Sequence, residues 1–204
     1  QCYYLIRLSQ DVQTSISNFT IHKGGDFIRV IFLDVDGVLT YAAYKNKETE
    51  NIDLEKVCLL KEICNSTDAS VVISSSWRGT LDYVPDCYYV LVSILQNNGT
   101  RVLGNIPNLI SSNPNHSQTF TLDELEMMKE EKGTGTAAEI QAWLVEHPEV
   151  SNFIILDDLD FRWKEYGYDT HWIQPTWFGN GGLKREHVEQ AIKLLKGSDN
   201  NNAN

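Results

Sequence analysis

The sequence predicts an α/β domain, a Rossmann-like three-layer sandwich in which a parallel sheet lies between two layers of helices. Three short apolar segments rich in β-branched residues predict buried strands at 29–34, 69–74 and 152–156. Helical patterns separate these segments, and strands that alternate with helices are typical of a parallel sheet. Two weaker segments, at 100–103 and 168–173, are further candidate strands.

Three helices are predicted by apolar residues that recur at helical spacing. The apolar faces are Leu54, Val57, Cys58, Leu60 and Cys64 in the first, Ile140, Trp143 and Leu144 in the second, and Val188, Ile192 and Leu195 in the third. Thr136 and Glu139 have the spacing of a capping box that would begin the second helix. Gly197 would end the third.

Length and composition indicate one domain with little or no cap. The chain has 204 residues, of which 42% are hydrophobic, and this is enough to build a core. We expect the domain to span 28–197, with an N-terminal extension at 1–27 and a small lid or insertion within 79–135. The polar low-complexity segment 198–204 is expected to be a disordered tail.

The charge balance excludes several classes of protein. The chain carries 28 acidic and 17 basic residues, a formal net charge of −11. General nucleic-acid binders and membrane-surface proteins need basic surfaces, and no apolar run is long enough to span a membrane. The four cysteines form no C-x-x-C pair and are typical of buried thiols in a reducing compartment. We therefore expect a cytoplasmic protein with no membrane partner and no general nucleic-acid binding.

Side chains suited to chemistry follow three of the predicted strands. The first strand leads into Asp34-Val35-Asp36-Gly37, the second into Ser74-Ser75-Ser76-Trp77-Arg78, and the third into Asp157-Asp158. The carboxyl ends of parallel strands meet at one edge of the sheet, which is where ligands bind in such folds. We therefore expect these groups to share one crevice.

The four carboxylates at these strand ends predict a magnesium site. Carboxylates packed together repel one another and are costly to bury without a cation. Mg²⁺ prefers oxygen ligands and also neutralises an incoming phosphate. The spacing of Asp34 and Asp36 allows one carboxylate to attack phosphorus while the other protonates the leaving oxygen. Gly37 relieves steric restriction where the chain turns.

Each motif also has an ordinary structural explanation when it is taken alone. Acidic turns are common after strands, Asp157-Asp158 fits a helix N-cap or a solvated turn, and the serines fit a turn. An EF-hand loop fails because its twelfth position, counted from Asp34, is Lys45 rather than Glu. The aromatic stretch at 161–178 is expected to pack against the sheet edge rather than to stack bases. The order of the three motifs, each after a buried strand, favours a functional site.

These motifs carry a family resemblance. The segments FLDVDGVLT at 32–40, VVISSSWR at 71–78 and FIILDD at 153–158 resemble the haloacid dehalogenase-like (HAD) superfamily. The likeness covers roughly 28–196. Together with VLGNIP, AEIQAWL and Gly182-Leu183, these segments are also similar to the small phosphatase-like domains of bacterial and phage proteins, some of which are linked to RNA repair.

The resemblance implies a phosphatase that works through an aspartyl-phosphate. Asp34 would be the nucleophile, and Asp36 the general acid and then the general base. Ser74 would hydrogen-bond the phosphoryl group, with Ser75 in that role if the strand runs one residue longer. The family's dehalogenases lack a second acid at the position of Asp36, so this residue favours phosphoryl transfer over dehalogenation.

The resemblance also implies a magnesium cofactor. Asp158 would bind Mg²⁺ beside the Asp34 carboxylate and the backbone carbonyl of Asp36, and Asp157 would support it. Gly37 and Arg78 would lie against the substrate.

One departure from the pattern concerns the basic residue that faces the phosphate. The subgroup usually has Arg just before the xEI helix, where this chain has Thr136. Lys132 is our choice for the role, Lys129 is the next nearest basic residue, and Arg78 is a possible substitute. Charge stabilisation carries most of phosphoryl-transfer catalysis. Without such a residue the chain would be a catalytically impaired binding or regulatory module.

The linker lengths predict an open site. Little room remains for a large cap after the first motif, and an open site admits bulky substrates. The expected substrate is a small phosphorylated molecule or a phosphorylated polymer end. A phosphotransferase or phosphomutase would share the nucleophile, but the lack of a substantial cap argues against it.

Overall fold

Five strands of the computed structural model, which describes residues 27–78, 85–109 and 135–197, form one parallel sheet. They are β1 (Ile28–Leu33), β2 (Ala69–Ile73), β3 (Val102–Asn105), β4 (Val150–Leu156) and β5 (Trp172–Ile173). Their order across the sheet is β3-β2-β1-β4-β5, and every neighbouring pair is parallel. This architecture confirms the predicted α/β, Rossmann-like fold.

Four α-helices connect and cover the strands. They are α1 (Leu54–Thr67), α2 (Pro85–Asn97), α3 (Thr136–Glu146) and α4 (Arg185–Lys196). Short 3₁₀ helices lie at Lys47–Thr49 and Trp163–Tyr166. Within these described ranges, no helix has the length and apolar character needed to cross a membrane.

The sheet separates two apolar layers. Successive side chains of a strand point to opposite faces, so Ile31 and Leu33 join one layer while Val30 and Phe32 join the other. The first layer packs β1 and β2 against α1, α2 and α4. The second packs the sheet against α3 and the buried Trp163. Helices therefore cover both faces, as the alternating pattern predicts.

The apolar face predicted for α1 is partly wrong. Leu54 is 49% exposed and Cys58 is exposed, whereas Ile63 is fully buried. Asp53 precedes the helix and accepts a hydrogen bond from the Glu55 backbone N–H, at 2.9 Å. Leu54 therefore lies in the first turn at the rim of the core, and the buried stripe begins one turn later.

The capping box predicted for α3 is also wrong. The N-cap is Gly135, which has no side chain to bond the helix, and Thr136 is already the first helical residue. The Glu139 side chain instead pairs with Arg78 and accepts the Leu109 backbone N–H, at 3.1 Å. A buried guanidinium needs a counter-charge, and this demand outweighs a local cap.

Part of the segment predicted as a lid belongs to the core. Tyr88, Leu91 and Leu95 of α2 are buried in the first layer, and β3 is an edge strand of the sheet. The stretches 79–84 and 110–134, with Lys129 and Lys132, lie outside the described residues, as do 1–26 and the predicted tail.

The aromatic stretch packs against the sheet edge, as expected. Trp163 is fully buried, with its ring 5.6 Å from Phe161 and 6.2 Å from Trp172. Tyr168 meets Phe153 of β4 edge to face, at 5.3 Å. Two residues of the stretch are exceptions: Trp177 faces Lys45, whose Nζ lies 5.9 Å from its ring centroid, and Phe178 is 79% exposed.

The amino ends and the carboxyl ends of the strands, which form the amino edge and the carboxyl edge of the sheet, have different neighbours. α4 ends at the amino edge, where Arg29 Nε donates to the Leu195 carbonyl at 3.1 Å and Asn152 donates to the Leu194 carbonyl at 2.9 Å. The carboxyl edge carries the loops that follow each strand. Because the chain order reverses between β1 and β4, the crevice expected to bind ligands lies at their carboxyl ends.

Candidate active site

Asp34 and Asp157 occupy equivalent positions just beyond two adjacent strands. β1 and β4 pair in register, with Leu33 opposite Leu156. The Asp34 backbone N–H donates to the Leu156 carbonyl at 2.9 Å, so the ladder continues to the first residue after the strand. The backbones of Asp34 and Asp157 thereby lie side by side at the switch point of the sheet.

Three carboxylates converge at this point. One oxygen from each of Asp34, Asp157 and Asp158 lies within 4.8 Å of the others. Asp157 is 1% exposed, and its carboxylate accepts the Leu159 backbone N–H at 2.9 Å. The Asp158 backbone carbonyl accepts a hydrogen bond from Gln174 Nε2 at 3.0 Å, which holds the turn after β4 in place.

Gly37 makes room for one of these acids. Its φ is +75°, and a Cβ there would lie 2.2 Å from Asp158 Cγ. The sequence explains Gly37 by the turn alone. The structure adds a second reason, because only a residue without a side chain lets Asp158 approach the turn so closely.

Asp36 stands apart from the three-carboxylate cluster. Thr40 Oγ1 donates to its Oδ1 at 2.8 Å, and Trp77 Nε1 donates to its Oδ2 at 3.0 Å. Both carboxylate oxygens are therefore held by donors from the protein. The sequence counts Asp36 among four carboxylates of the predicted metal site, but the structure brings together only Asp34, Asp157 and Asp158 of these, and the role of Asp36 in proton transfer stays a prediction.

The two candidate serines have different environments. Ser75 hydrogen-bonds the Asp34 carboxylate. The Ser74 hydroxyl is buried and has no hydrogen-bond partner among the residues that the structure describes. An unsatisfied buried hydroxyl carries a desolvation cost that a substrate oxygen would relieve.

Arg78 is a buried cation next to the carboxylate cluster. Its side chain is 10% exposed, it forms an ion pair with the 3% exposed side chain of Glu139, and it donates to the Ser75 carbonyl at 2.7 Å. Its Nε has no partner within the described ranges. Burial lowers the pKa of Arg78, and the nearby carboxylates of Glu139 and Asp34 oppose this shift.

The cluster of Asp34, Asp157 and Asp158 fits a HAD-type site. A family model described as the HAD domain in Swiss Army Knife RNA repair proteins matches residues 30–188. The chain belongs to this family. No curated protein and no solved structure gives a significant match. Family membership supports phosphatase-type or hydrolase activity in general and use of a divalent metal.

The acidic cluster of this HAD domain fits a divalent cation. Three carboxylates with oxygens this close repel one another, and a hard cation is the partner that offsets their burial. Among the ion pairs of the described residues, none joins a basic side chain to Asp34, Asp157 or Asp158. Asp34, Asp157 and Asp158 are therefore the residues that would hold the metal.

Without a metal, burial and repulsion between carboxylates raise the pKa values of Asp34, Asp157 and Asp158. Burial raises the pKa of Asp34 to about 7, and the charges of Asp36 and Asp158 add to the shift, while hydrogen bonds from Ser75 and Val35 oppose it. Burial and the neighbouring Asp34 charge raise the pKa of Asp157 well above its ordinary value. Burial also raises the pKa of Asp158. In the absence of a cation, the cluster therefore holds protons near neutral pH.

Stability of the metal-free HAD domain should fall as pH rises from about 4 to about 7. The folded-state pKa of Asp34, about 7, exceeds its ordinary value of 3.8, so the folded state retains a proton that the unfolded chain releases. Each pKa unit is worth about 1.4 kcal/mol, which makes the loss on the order of 3 kcal/mol. Denaturant unfolding across this pH range, in chelator, measures it.

Two further measurements separate this effect from other acids. Asp34→Asn should make the decline shallower, with the remainder due to Asp157 and Asp158, whose pKa values are also raised by burial, whereas Asp68→Asn, at the exposed C-cap of α1, should leave it unchanged. Mg²⁺ at pH 7.5 should restore stability to the wild-type chain because it replaces the bound proton as counter-charge. A profile that is equally steep in Asp34→Asn would contradict the assignment.

Sequence reasoning overlooked three residues of the site. Thr40 and Trp77 lie inside the recognised motifs but received no role, and Glu139 received only a capping role. Trp77 follows the serines so closely that its place beside the site could have been anticipated. Nothing in the local spacing of Glu139 indicates its pairing with Arg78.

Proposed function

We propose that this HAD domain is a magnesium-dependent phosphatase that hydrolyses a phosphomonoester through an aspartyl-phosphate. The observation that carries the proposal is the cluster of Asp34, Asp157 and Asp158, with the separate carboxyl group of Asp36 two residues beyond Asp34. In this proposal Asp34 binds the metal and attacks phosphorus, and Asp36, whose carboxyl group is oriented by Thr40 and Trp77, transfers the proton.

The first half of the proposed reaction forms a covalent intermediate. An oxygen of the Asp34 carboxylate attacks phosphorus, and the bond between phosphorus and the leaving oxygen breaks. Asp36 gives its proton to that oxygen, so the product leaves as an alcohol. Ser74, or Ser75 in its place, hydrogen-bonds the phosphoryl oxygens.

The second half regenerates the enzyme. Asp36, now ionised, takes a proton from water, and the water oxygen attacks phosphorus. The bond between phosphorus and the Asp34 oxygen breaks, which releases inorganic phosphate and the free carboxylate. Mg²⁺ held by Asp34, Asp157 and Asp158 would neutralise charge on the cluster and on the phosphate.

Arg78 is the cation that we propose to stabilise the phosphoryl charge. It is buried, its charge interacts with that of Asp34, and its Nε is unpaired within the described part of the chain. Lys132 remains an alternative from the sequence. Electrostatic stabilisation by such groups usually makes the largest contribution to catalysis of phosphoryl transfer.

Arg78→Ala is expected to lower kcat/KM at least about 100-fold, because it removes the buried cation from the phosphate site. It should also destabilise the fold by about 3–5 kcal/mol, since it leaves Glu139 buried without its counter-charge. Phosphatase kinetics and denaturant unfolding measure the two effects. Arg101→Ala, which removes a cation that bonds Asp68 and Ser70 at the start of β2, away from the carboxylates, should leave activity unchanged.

A double variant distinguishes the two contributions of Arg78. Replacing the ion pair with apolar residues, as in Arg78→Met with Glu139→Leu, should recover most of the stability because no buried charge remains. Activity should stay low, because the cation is still missing. Recovery of both stability and activity would show that Arg78 serves the fold alone and would favour Lys132.

The substrate that we propose is a phosphorylated polymer end, and the description of the family in terms of RNA repair supports an RNA end in particular. A comparison of kcat/KM for terminally phosphorylated oligonucleotides, phosphoproteins and small phosphates tests this choice. Activity confined to small phosphates would contradict it.

The free thiols of Cys58, Cys64 and Cys87 support a reducing compartment such as the cytoplasm as the proposed location.

One assay tests the proposed chemistry. A generic aryl phosphate should be hydrolysed with Mg²⁺, and activity should disappear in chelator and return when Mg²⁺ is restored. A folded chain that is inactive with every divalent metal would overturn the proposal and favour a binding or regulatory module.

A further inference from the structure

The carboxyl group of Asp36 is held by two donors from different parts of the chain. Thr40, which bonds Oδ1, lies in the same turn and also approaches the Val35 carbonyl, at 3.4 Å. Trp77, which bonds Oδ2 at 3.0 Å, comes from the loop after β2, 41 positions away. The indole bond therefore fixes this carboxyl group against a second strand end and not only against its own turn.

The loop that carries Trp77 also touches the nucleophile. The Trp77 backbone N–H points toward Ser75 Oγ at 3.4 Å, and Ser75 hydrogen-bonds the Asp34 carboxylate. The Trp77 ring packs against the first core layer and Arg78 follows it directly. One short segment thus places groups against Asp34, Asp36 and the phosphate site.

The chemistry of the indole suits a positioning role. An indole N–H can only donate, so it neither takes a proton from Asp36 nor supplies one to it. It leaves the acid proton available to the leaving oxygen while it fixes the rotation of the carboxyl group. A hydroxyl such as that of Thr40 can donate or accept, and so it tolerates both protonation states.

We propose that Trp77 is a positioning residue for proton transfer by Asp36, acting through the Nε1–Oδ2 hydrogen bond. The proposal rests on the proposed phosphatase function and goes beyond it, because it assigns the orientation of the general acid to the loop after β2. Loss of the bond should impair proton donation to the leaving oxygen more than it impairs attack by Asp34.

The dependence of rate on the leaving group tests this role. An aryl phosphate with an acidic phenol needs little proton donation, whereas an alkyl phosphate depends on it. In Trp77→Phe, kcat/KM should fall about 10- to 100-fold for the alkyl phosphate and only a few-fold for the aryl phosphate, as part of the 10²–10⁴-fold due to acid catalysis is lost. Asp36→Asn should show the same selectivity, more strongly.

Matched variants give the test its controls. Trp143→Phe makes the same substitution in the second apolar layer, at a residue 7% exposed, and should affect both substrates alike or neither. Trp77→His, which restores a ring N–H, should recover part of the alkyl phosphate activity and replaces Trp77→Phe if that variant does not fold. In an Asp36→Asn background, Trp77→Phe should cause no further selective loss.

The outcomes are distinguishable from failure of the proposed function. A wild-type chain inactive on both phosphates would overturn the phosphatase proposal and this role with it. An active wild type in which Trp77→Phe lowers both rates equally, or neither, would overturn the role of Trp77 alone.

Discussion

Asp34→Asn is expected to abolish phosphatase activity, with a loss of about 10⁴-fold or more in kcat. The substitution removes the attacking oxygen while leaving a side chain of nearly the same shape, and loss of a catalytic nucleophile has effects of this size. Activity on an aryl phosphate with Mg²⁺ measures the loss. Wild-type enzyme denatured in acid during turnover should carry one phosphoryl group on the peptide that contains Asp34, and the variant should carry none.

The matched control is Asp68→Asn, which makes the same change at the opposite edge of the sheet. Asp68 has a left-handed φ of 52° that asparagine adopts readily, so the control should fold and remain active. Residual activity in Asp34→Asn comparable to that of the control would rule out the aspartyl-phosphate mechanism. A phosphoryl group found on another residue would lead to the same conclusion.

Gly37→Ala is expected to disable the site without touching a reacting group. The new Cβ would lie 2.2 Å from Asp158 Cγ, so Asp158 must shift and the three carboxylates cannot keep their present arrangement. Metal affinity should fall about 100-fold or more, since displacement of even an outer group costs 10- to 100-fold. Activity as a function of Mg²⁺ concentration, and the increase in melting temperature on adding Mg²⁺, measure the change.

Gly167→Ala separates crowding at Asp158 from backbone strain. Gly167 has φ +74°, almost the same as Gly37, but a Cβ there meets nothing within 4 Å. Both variants should lose about 1–2 kcal/mol of stability to the left-handed backbone. Only Gly37→Ala should also lose its response to Mg²⁺, and a similar response in both variants would contradict the crowding argument.

The sequence was sufficient to place the carboxylates because their positions follow from backbone rules. Buried strands have recognisable composition, parallel strands share a carboxyl edge, and Asp34 and Asp157 come directly after β1 and β4. Because β1 and β4 are adjacent in the sheet, Asp34 and Asp157 are neighbours. Local pattern and topology thus predict the cluster without any knowledge of side-chain directions.

The polar contacts around the carboxylate cluster could not be predicted from the sequence. Arg78 and Glu139 are 61 positions apart, and Trp77 and Asp36 are 41 apart, so no local spacing relates them. Their pairing depends on how α3 and the loop after β2 meet over the sheet. The capping box failed for the same reason, because a buried cation competed for Glu139.

The direction in which α4 runs has a practical consequence for how the protein can be joined or immobilised. β1 begins and α4 ends at the amino edge, where Arg29 and Asn152 hold the last turn of the helix. The carboxylates lie at the other edge. The described chain therefore enters β1 and leaves α4 on the side away from Asp34, Asp157 and Asp158, and that side is the one to choose for a surface linkage.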